Sequence, residues 1–226
     1  GMKYPLMVLA WLIIHQWLDA QVLLRPDRVF DGQDMHEGWV VLVMDTSIQY
    51  AGPESGLQPT GDARTLVLDG MTLLPGLIEG HSHLLLHPYN ETPWNDQVLK
   101  ESHAERAIRG AEHARKSLLA GVTTMRDLGS EGAGYADVGL KQSIEKGIIP
   151  GPRLLVAGPA IVATGAYGPK GFHEGATVPL GAEPASGTAG VIAAVRRQIG
   201  GGADLIKIYA DYRWTPGEEA SPTFLQ

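Results

Sequence analysis

The chain has no cysteine among its 226 residues. Disulfides, thiolate zinc sites and a cysteine nucleophile are thereby excluded, and any metal must be held by nitrogen and oxygen. It has no basic run either, and the formal net charge is −7 with a pI near 5.6. That balance argues against nucleic acid or an anionic membrane surface as partner. The longest apolar run, in the first twenty residues, is stopped by His15-Gln16 and is too short to span a bilayer. What remains is ordinary globular composition, 44% hydrophobic and 19% charged. A chain of this length holds one large domain, or a small one plus part of another.

Residues 1–20 read in two ways. Gly1 before Met2 resembles a residue left by a tag. Lys3 followed by Leu6-Met7-Val8-Leu9-Ala10-Trp11-Leu12-Ile13-Ile14 has the n- and h-regions of a signal peptide, with Ala20 as a cleavage edge. The favoured expectation is an apolar N-terminal extension or unprocessed leader. A cytoplasmic location is slightly favoured, with export as the alternative if this segment is a signal.

From residue 21 to 73 the pattern is short strands with tight turns: Gln21–Leu24, Arg28–Phe30, Trp39–Met44, Ile48–Ala51 and Thr65–Gly70, punctuated by Asp31-Gly32 and Gly52-Pro53. This predicts a small all-β unit, thin for an independent sandwich. From residue 74 strands alternate with helices. Strands are predicted near Leu77, Val122, Arg153 and Asp204. Helices are predicted over Ser102–Leu119, with Ala104, Ala107, Ile108, Ala111 and Leu118 on one stripe, over Tyr135–Lys146, and around Val191–Ile199. βαβα order predicts a parallel sheet with helices outside. The excess length falls after the first and third strands, in residues 84–101 and 158–187, on the face where such proteins keep their sites.

Two features carry chemistry. In Leu74-Pro75-Gly76-Leu77-Ile78-Glu79-Gly80-His81-Ser82-His83, strand alternation puts His81 and His83 on one face, half of a tetrahedral shell for a zinc-like ion. The bland alternative is two polar residues in the loop after a buried strand. In Asp204-Leu205-Ile206-Lys207-Ile208-Tyr209, Lys207 interrupts a run that reads as buried. A buried ammonium is costly unless paired or neutralised. Either Lys207 reaches solvent or pairs with Asp127, or its amine has been chemically changed. Arg126 and Asp127 end the second strand at the mouth of the site, where they either face substrate or, the favoured expectation, form a structural ion pair; Glu79 is expected to cap a polar layer below the histidines. His103 and His113 are expected on the surface.

These blocks, with Gly121-Val122-Thr123-Thr124-Met125-Arg126-Asp127-Leu128-Gly129 and Gly151-Pro152-Arg153-Leu154-Leu155-Val156-Ala157-Gly158-Pro159, resemble the amidohydrolase superfamily over about residues 21–226. The nearest likeness is to the branch of Xaa-Pro dipeptidases (prolidases) and relatives of imidazolonepropionase. The resemblance implies an α/β fold: part of a composite β-sandwich (residues 21–73) followed by the N-terminal half of a (β/α)₈ TIM-type barrel (residues 74–226). It implies metal ligation by His81, His83 and Lys207, the last as a CO₂-derived carbamate bridging two divalent ions, zinc in the first instance. The family's further histidine ligands and its aspartate base have no counterpart up to Gln226. The chain therefore reads as truncated after barrel strand four, inactive alone and lacking the C-terminal half of the barrel.

Tyr209, Tyr167, His87 and His173 are the substrate-binding candidates. Many relatives carry a His near the position of Tyr167, a departure that weakens assignment to the best-known prolidases. The function implied is metal-dependent hydrolysis of an amide bond in a dipeptide or N-acyl amino acid. Alternatives are a cyclic-amide hydrolase or deaminase with one metal, and a truncated non-catalytic scaffold. Homo-oligomerisation is left open.

Overall fold

The structure is a computed structural model that describes residues 21–58, 61–214 and 217–224. The leader-like segment, residues 1–20, lies outside the described residues. No helix among them is long and apolar enough to cross a membrane. The chain divides into two compact units, Gly1–Pro75 and Gly76–Gln226.

The first unit contains β1 (Gln21–Phe30), β2 (Met35–Glu37), β3 (Trp39–Met44), β4 (Ser47–Pro53) and β5 (Arg64–Leu73). They make one sheet in the order β2-β1-β3-β4, with β5 running parallel along β1. Leu23, Pro26, Val29, Val40 and Val41 are among its buried side chains. The two strands predicted at Gln21–Leu24 and Arg28–Phe30 are one. Its register against β5 shifts between Pro26 and Arg28. Pro26 offers no N–H, so the ladder steps there instead of ending. Opposite, Gly70 takes φ +73° and donates its N–H to Asp27 Oδ2 at 3.0 Å, which holds the bulge in place. β2 has no counterpart in the sequence reading, because three residues are too few to set an alternation.

The second unit is mixed α/β. Its frame is β6 (Leu77–Ser82), β7 (Val122–Asp127) and β8 (Arg153–Val156), paired in parallel in that order. The helices are α1 (Trp94–Lys100), α2 (His103–Leu119), α3 (Ala136–Glu145) and α4 (Gly187–Gly201). Short pairs complete it: β9 (Ile161–Ala163) with β10 (Glu183–Ala185), and β11 (Asp211–Tyr212) with β12 (Ser221–Pro222). Met125, Leu154 and Val156 share a core with Leu84, Ala114, Val138 and Leu140. On the other parity Arg126, Arg153 and Leu155 are exposed while Val122 and Thr124 are half-buried, and β6 is exposed from Leu77 to His81, with Ile78 at 76%.

Three expectations are corrected. The apolar stripe of α2 is displaced: Ala104 and Ile108 are exposed, and the buried positions are Arg106, Gly110 and Ala114. Ser102 caps this helix by accepting from Glu105 N at 3.1 Å. α3 begins at Ala136, with Tyr135 as its N-cap. The fourth strand, expected over Asp204–Tyr209, is not a continuous strand. Asp204 is drawn to β8 instead, donating from its N–H to Val156 O and accepting from Val156 N at its carboxylate. Past it the backbone forms only an isolated parallel bridge, Ile208 with Ile161.

Candidate active site

The site lies where β6 and β7 end. β6 carries His81, and His83 follows one residue after the strand, so both rings emerge together. Their centroids are 5.4 Å apart, edge to face. His83 Nδ1 lies 3.1 Å from Gly129 O. A carbonyl can only accept, so the proton sits on Nδ1 and Nε2 is left as a lone-pair donor. His81 titrates below its ordinary value of 6.5: desolvation is the first cause, followed by the charges of Lys207, His83 and Arg126. It is therefore neutral, the form that binds metals.

Lys207 is not buried as the sequence suggested but half-buried, with Nζ 4.9 Å from the centre of the Tyr209 ring. It has no carboxylate within salt-bridge distance among the described residues, so the pairing with Asp127 does not occur. Its backbone is fixed by a single residue. Ile161 N donates to Lys207 O at 2.8 Å, and Tyr209 N donates to Ile161 O at 3.1 Å. Ile161 is fully buried, in a cluster with Ala185 and Ala194. β9 thus registers the backbone of Lys207 from the core.

The expected Arg126–Asp127 ion pair is also absent, because the two side chains leave opposite faces of β7. Arg126 Nε donates to Gly80 O at 2.7 Å. Asp127 is wholly buried and accepts from Leu84 N at 3.0 Å and Gly129 N at 3.3 Å. Burial, then the charge of Asp137, pushes its carboxyl from the ordinary 3.8 up to about 8. Asp127 ties the end of β7 to the turn after His83. Glu79 caps no buried layer: it is exposed, and its carboxylate accepts from His81 N at 2.8 Å.

A residue the sequence reading passed over is central here. Glu131 is 1% exposed and takes φ +50°, between Gly129 at +148° and Gly132 at +87°. This left-handed loop turns its carboxylate inward. It accepts from Trp94 Nε1 at 2.8 Å and Tyr209 OH at 3.0 Å, with Tyr167 OH at 3.4 Å. Its Oε1 also lies 3.7 Å from His83 Nδ1. The loop is anchored from below by Arg106, 1% exposed, which donates to Leu85 O, Ser130 O and Glu131 O over 2.8–3.2 Å. Burial lowers the pKa of this guanidinium, while the charges of Glu101 and Glu131 oppose the shift.

Of the four substrate candidates, two are brought together. Tyr167 and Tyr209 stack with centroids 4.4 Å apart, their hydroxyls 3.0 Å from each other. Burial and the Glu131 carboxylate raise the pKa of both phenols, so both stay protonated donors. His87 is engaged elsewhere, its Nε2 3.1 Å from Glu101 Oε1, in a group that also holds Arg109. His173 accepts from Gly175 N within its own exposed turn. His113 is half-buried, with Nδ1 2.9 Å from Leu84 O, and so is not the surface residue expected; His103 is exposed.

Among the described residues, no three His, Asp or Glu side chains are gathered to hold a metal ion. The donor set does fit one in part: two imidazoles edge to face, one with its Nδ1 engaged by a carbonyl, and an amine whose charge acts on His81.

Comparison with known proteins follows the same ground. The sequence profile of the Amidohydrolase family matches residues 72–224. No curated protein matches the chain in sequence. Similar solved structures include a prolidase complexed with N-methylphosphonate-L-proline, at 28% identity and a TM-score of 0.69, covering 91% of this chain and 49% of that one. A Xaa-Pro dipeptidase with methionine bound in its active site is 26% identical, with a TM-score of 0.67, covering 84% of this chain and 47% of that one. Molinate hydrolase, 19% identical with a TM-score of 0.68 over 91% of this chain and 49% of that one, shares the fold. The chain spans about half the length of the structures it matches.

Proposed function

The chain belongs to the amidohydrolase family, and on that premise we propose that it supplies one side of a metal-dependent amide hydrolase site. The three parallel strands are then the opening strands of a (β/α)₈ barrel, and the five-stranded sheet is part of its accompanying sandwich. The observation that carries the reading is the pairing of His81 and His83, ring centroids 5.4 Å apart with His83 Nδ1 at 3.1 Å from Gly129 O; the influence of the Lys207 charge on His81 supports adding that amine.

His81 and His83 would hold a divalent ion through neutral imidazole nitrogen, and Lys207 would contribute after reaction with CO₂. As a cation the Lys207 amine has no lone pair to offer. As a carbamate it presents two anionic oxygens, enough to serve a pair of ions. Bound there, divalent ions such as zinc supply a hydroxide at neutral pH and polarise a carbonyl. The protein's own groups do the rest. Tyr209 and Tyr167 keep their protons and donate hydrogen bonds to Glu131, which fixes both rings beside the site and places a negative charge near His83. In the overall reaction water adds to the amide carbon, the C–N bond breaks and the nitrogen leaves protonated as an amine. Dipeptides and N-acyl amino acids are the substrate classes this reading favours. The prolidase and dipeptidase structures of similar fold support it.

Metal content decides the matter. The intact protein should carry two divalent ions per chain by inductively coupled plasma mass spectrometry. His81→Ala, His83→Ala and Lys207→Ala should each lower that number and abolish hydrolysis of a dipeptide and N-acyl amino acid panel. One ion per chain, with Lys207→Ala harmless, would sink the two-metal reading and leave a mononuclear cyclic amidase or deaminase.

A further inference from the structure

Beside the candidate site lies a cavity of about 320 Å³, walled by the rings of Tyr89, Trp94, Tyr167 and Tyr212 with Lys170 among its lining residues. Four aromatic walls are an unusual concentration in a chain that is only 7% aromatic. The walls are rigidly set. Trp94 meets Tyr167 edge to face at 5.3 Å, and both donate to Glu131. Lys170 Nζ lies 4.8 Å from the Tyr212 ring centre and 3.3–3.4 Å from the carbonyls of Trp214 and Arg213. Asn95 Nδ2 holds the Lys170 carbonyl at 3.3 Å, which ties α1 to this rim.

We propose that this cavity is a specificity pocket for an aromatic amino acid bearing a free carboxylate, as the amine half of the amide to be cleaved; this rests on the hydrolase reading above. Three observations select that ligand. The volume accommodates one amino-acid-sized group and is at the lower end for small-molecule pockets. Aromatic walls favour a flat ring, since offset and edge-to-face ring pairs add to simple apolar burial. Lys170 is exposed, with no carboxylate within salt-bridge distance among the described residues, and only carbonyl oxygens and a ring face about its ammonium. An anion is the partner it lacks. In a dipeptide or N-acyl amino acid the free carboxylate is on the amine half, so the ring and the charge are required on the same fragment. Position agrees with this. Two walls of the pocket donate to Glu131, whose Oε1 is 3.7 Å from His83 Nδ1. The pocket wall is thus linked to the proposed metal ligand through Trp94 or Tyr167 and then Glu131.

The test is binding, measured by isothermal titration on the intact protein with L-phenylalanine, phenethylamine, L-leucine and L-proline. Phenylalanine should bind at least ten-fold more tightly than phenethylamine, which lacks the carboxylate, and than leucine or proline, which lack the ring. Lys170→Met should erase the difference between phenylalanine and phenethylamine, Lys170→Arg should retain it, and Tyr212→Leu should erase the difference between phenylalanine and leucine. Equal binding of leucine or proline, no binding of phenylalanine, or an unchanged preference in Lys170→Met would overturn the assignment. Since an amine product binds without turnover, the metal content of the same samples tests the hydrolase reading separately. A metal-free protein that still prefers phenylalanine would fail that reading and keep the pocket.

Discussion

Asp127 is a carboxyl whose chemistry departs far from its ordinary behaviour. A carboxyl raised from 3.8 to about 8 keeps its proton in the folded chain where the unfolded chain has lost it. Between those two values the folded state binds more protons, so stability falls as pH rises through that window and levels off above it. Asp137, also raised by burial first, pushes in the same direction. Urea unfolding at intervals from pH 4 to 9 should show this decline, and Asp127→Asn should flatten it. A variant with the parent's slope would place the dependence elsewhere. Residues differ in how much of this was legible. His81 and His83 could be read because strand alternation needs only two positions, and Lys207 because a charge interrupts an apolar run. Glu131 could not. Its aim depends on three left-handed residues in one loop and on Arg106, a guanidinium from a helix surface that sequence periodicity assigns to solvent.

At the scale of elements, α2 does two things with different energetic weight. Its N-cap, Ser102, satisfies one backbone N–H, and Ser102→Ala should cost about 1 kcal/mol. Its buried Arg106 satisfies three carbonyls around the Glu131 loop. Arg106→Met leaves those acceptors without a donor and should cost about 2–4 kcal/mol, since each unsatisfied buried group carries a penalty of its own. Chemical denaturation compares the two, and a larger loss in Ser102→Ala would refute the anchoring role. Helices α2, α3 and α4 and the three parallel strands were legible because periodic and apolar runs ended at turns, whereas α1 was read as part of a long loop and α2 buries a different stripe from the one read. The segment 204–209 was not, because its apolar composition suits a strand while Asp204 binds back to β8 and leaves only one bridge beyond it. Local pattern cannot register that competition.

For the whole molecule, an ion bound by the folded chain alone adds to stability by mass action, about 2.7 kcal/mol at a hundred times its Kd. Dialysis of the intact protein against a chelator should therefore lower its Tm, and return of zinc or another divalent ion should restore it. No change in Tm would count against ligation by His81, His83 and Lys207. The position of Lys207 has a consequence of its own. Both backbone groups that register it belong to Ile161, and Ile161 is embedded with Ala185 and Ala194 under α4. The backbone of Lys207 is thus geared to a cluster that includes two buried alanines. A single added methyl in that cluster would be transmitted through the two hydrogen bonds of Ile161 and shift the backbone at Lys207, so a substitution there would be felt well beyond its own packing.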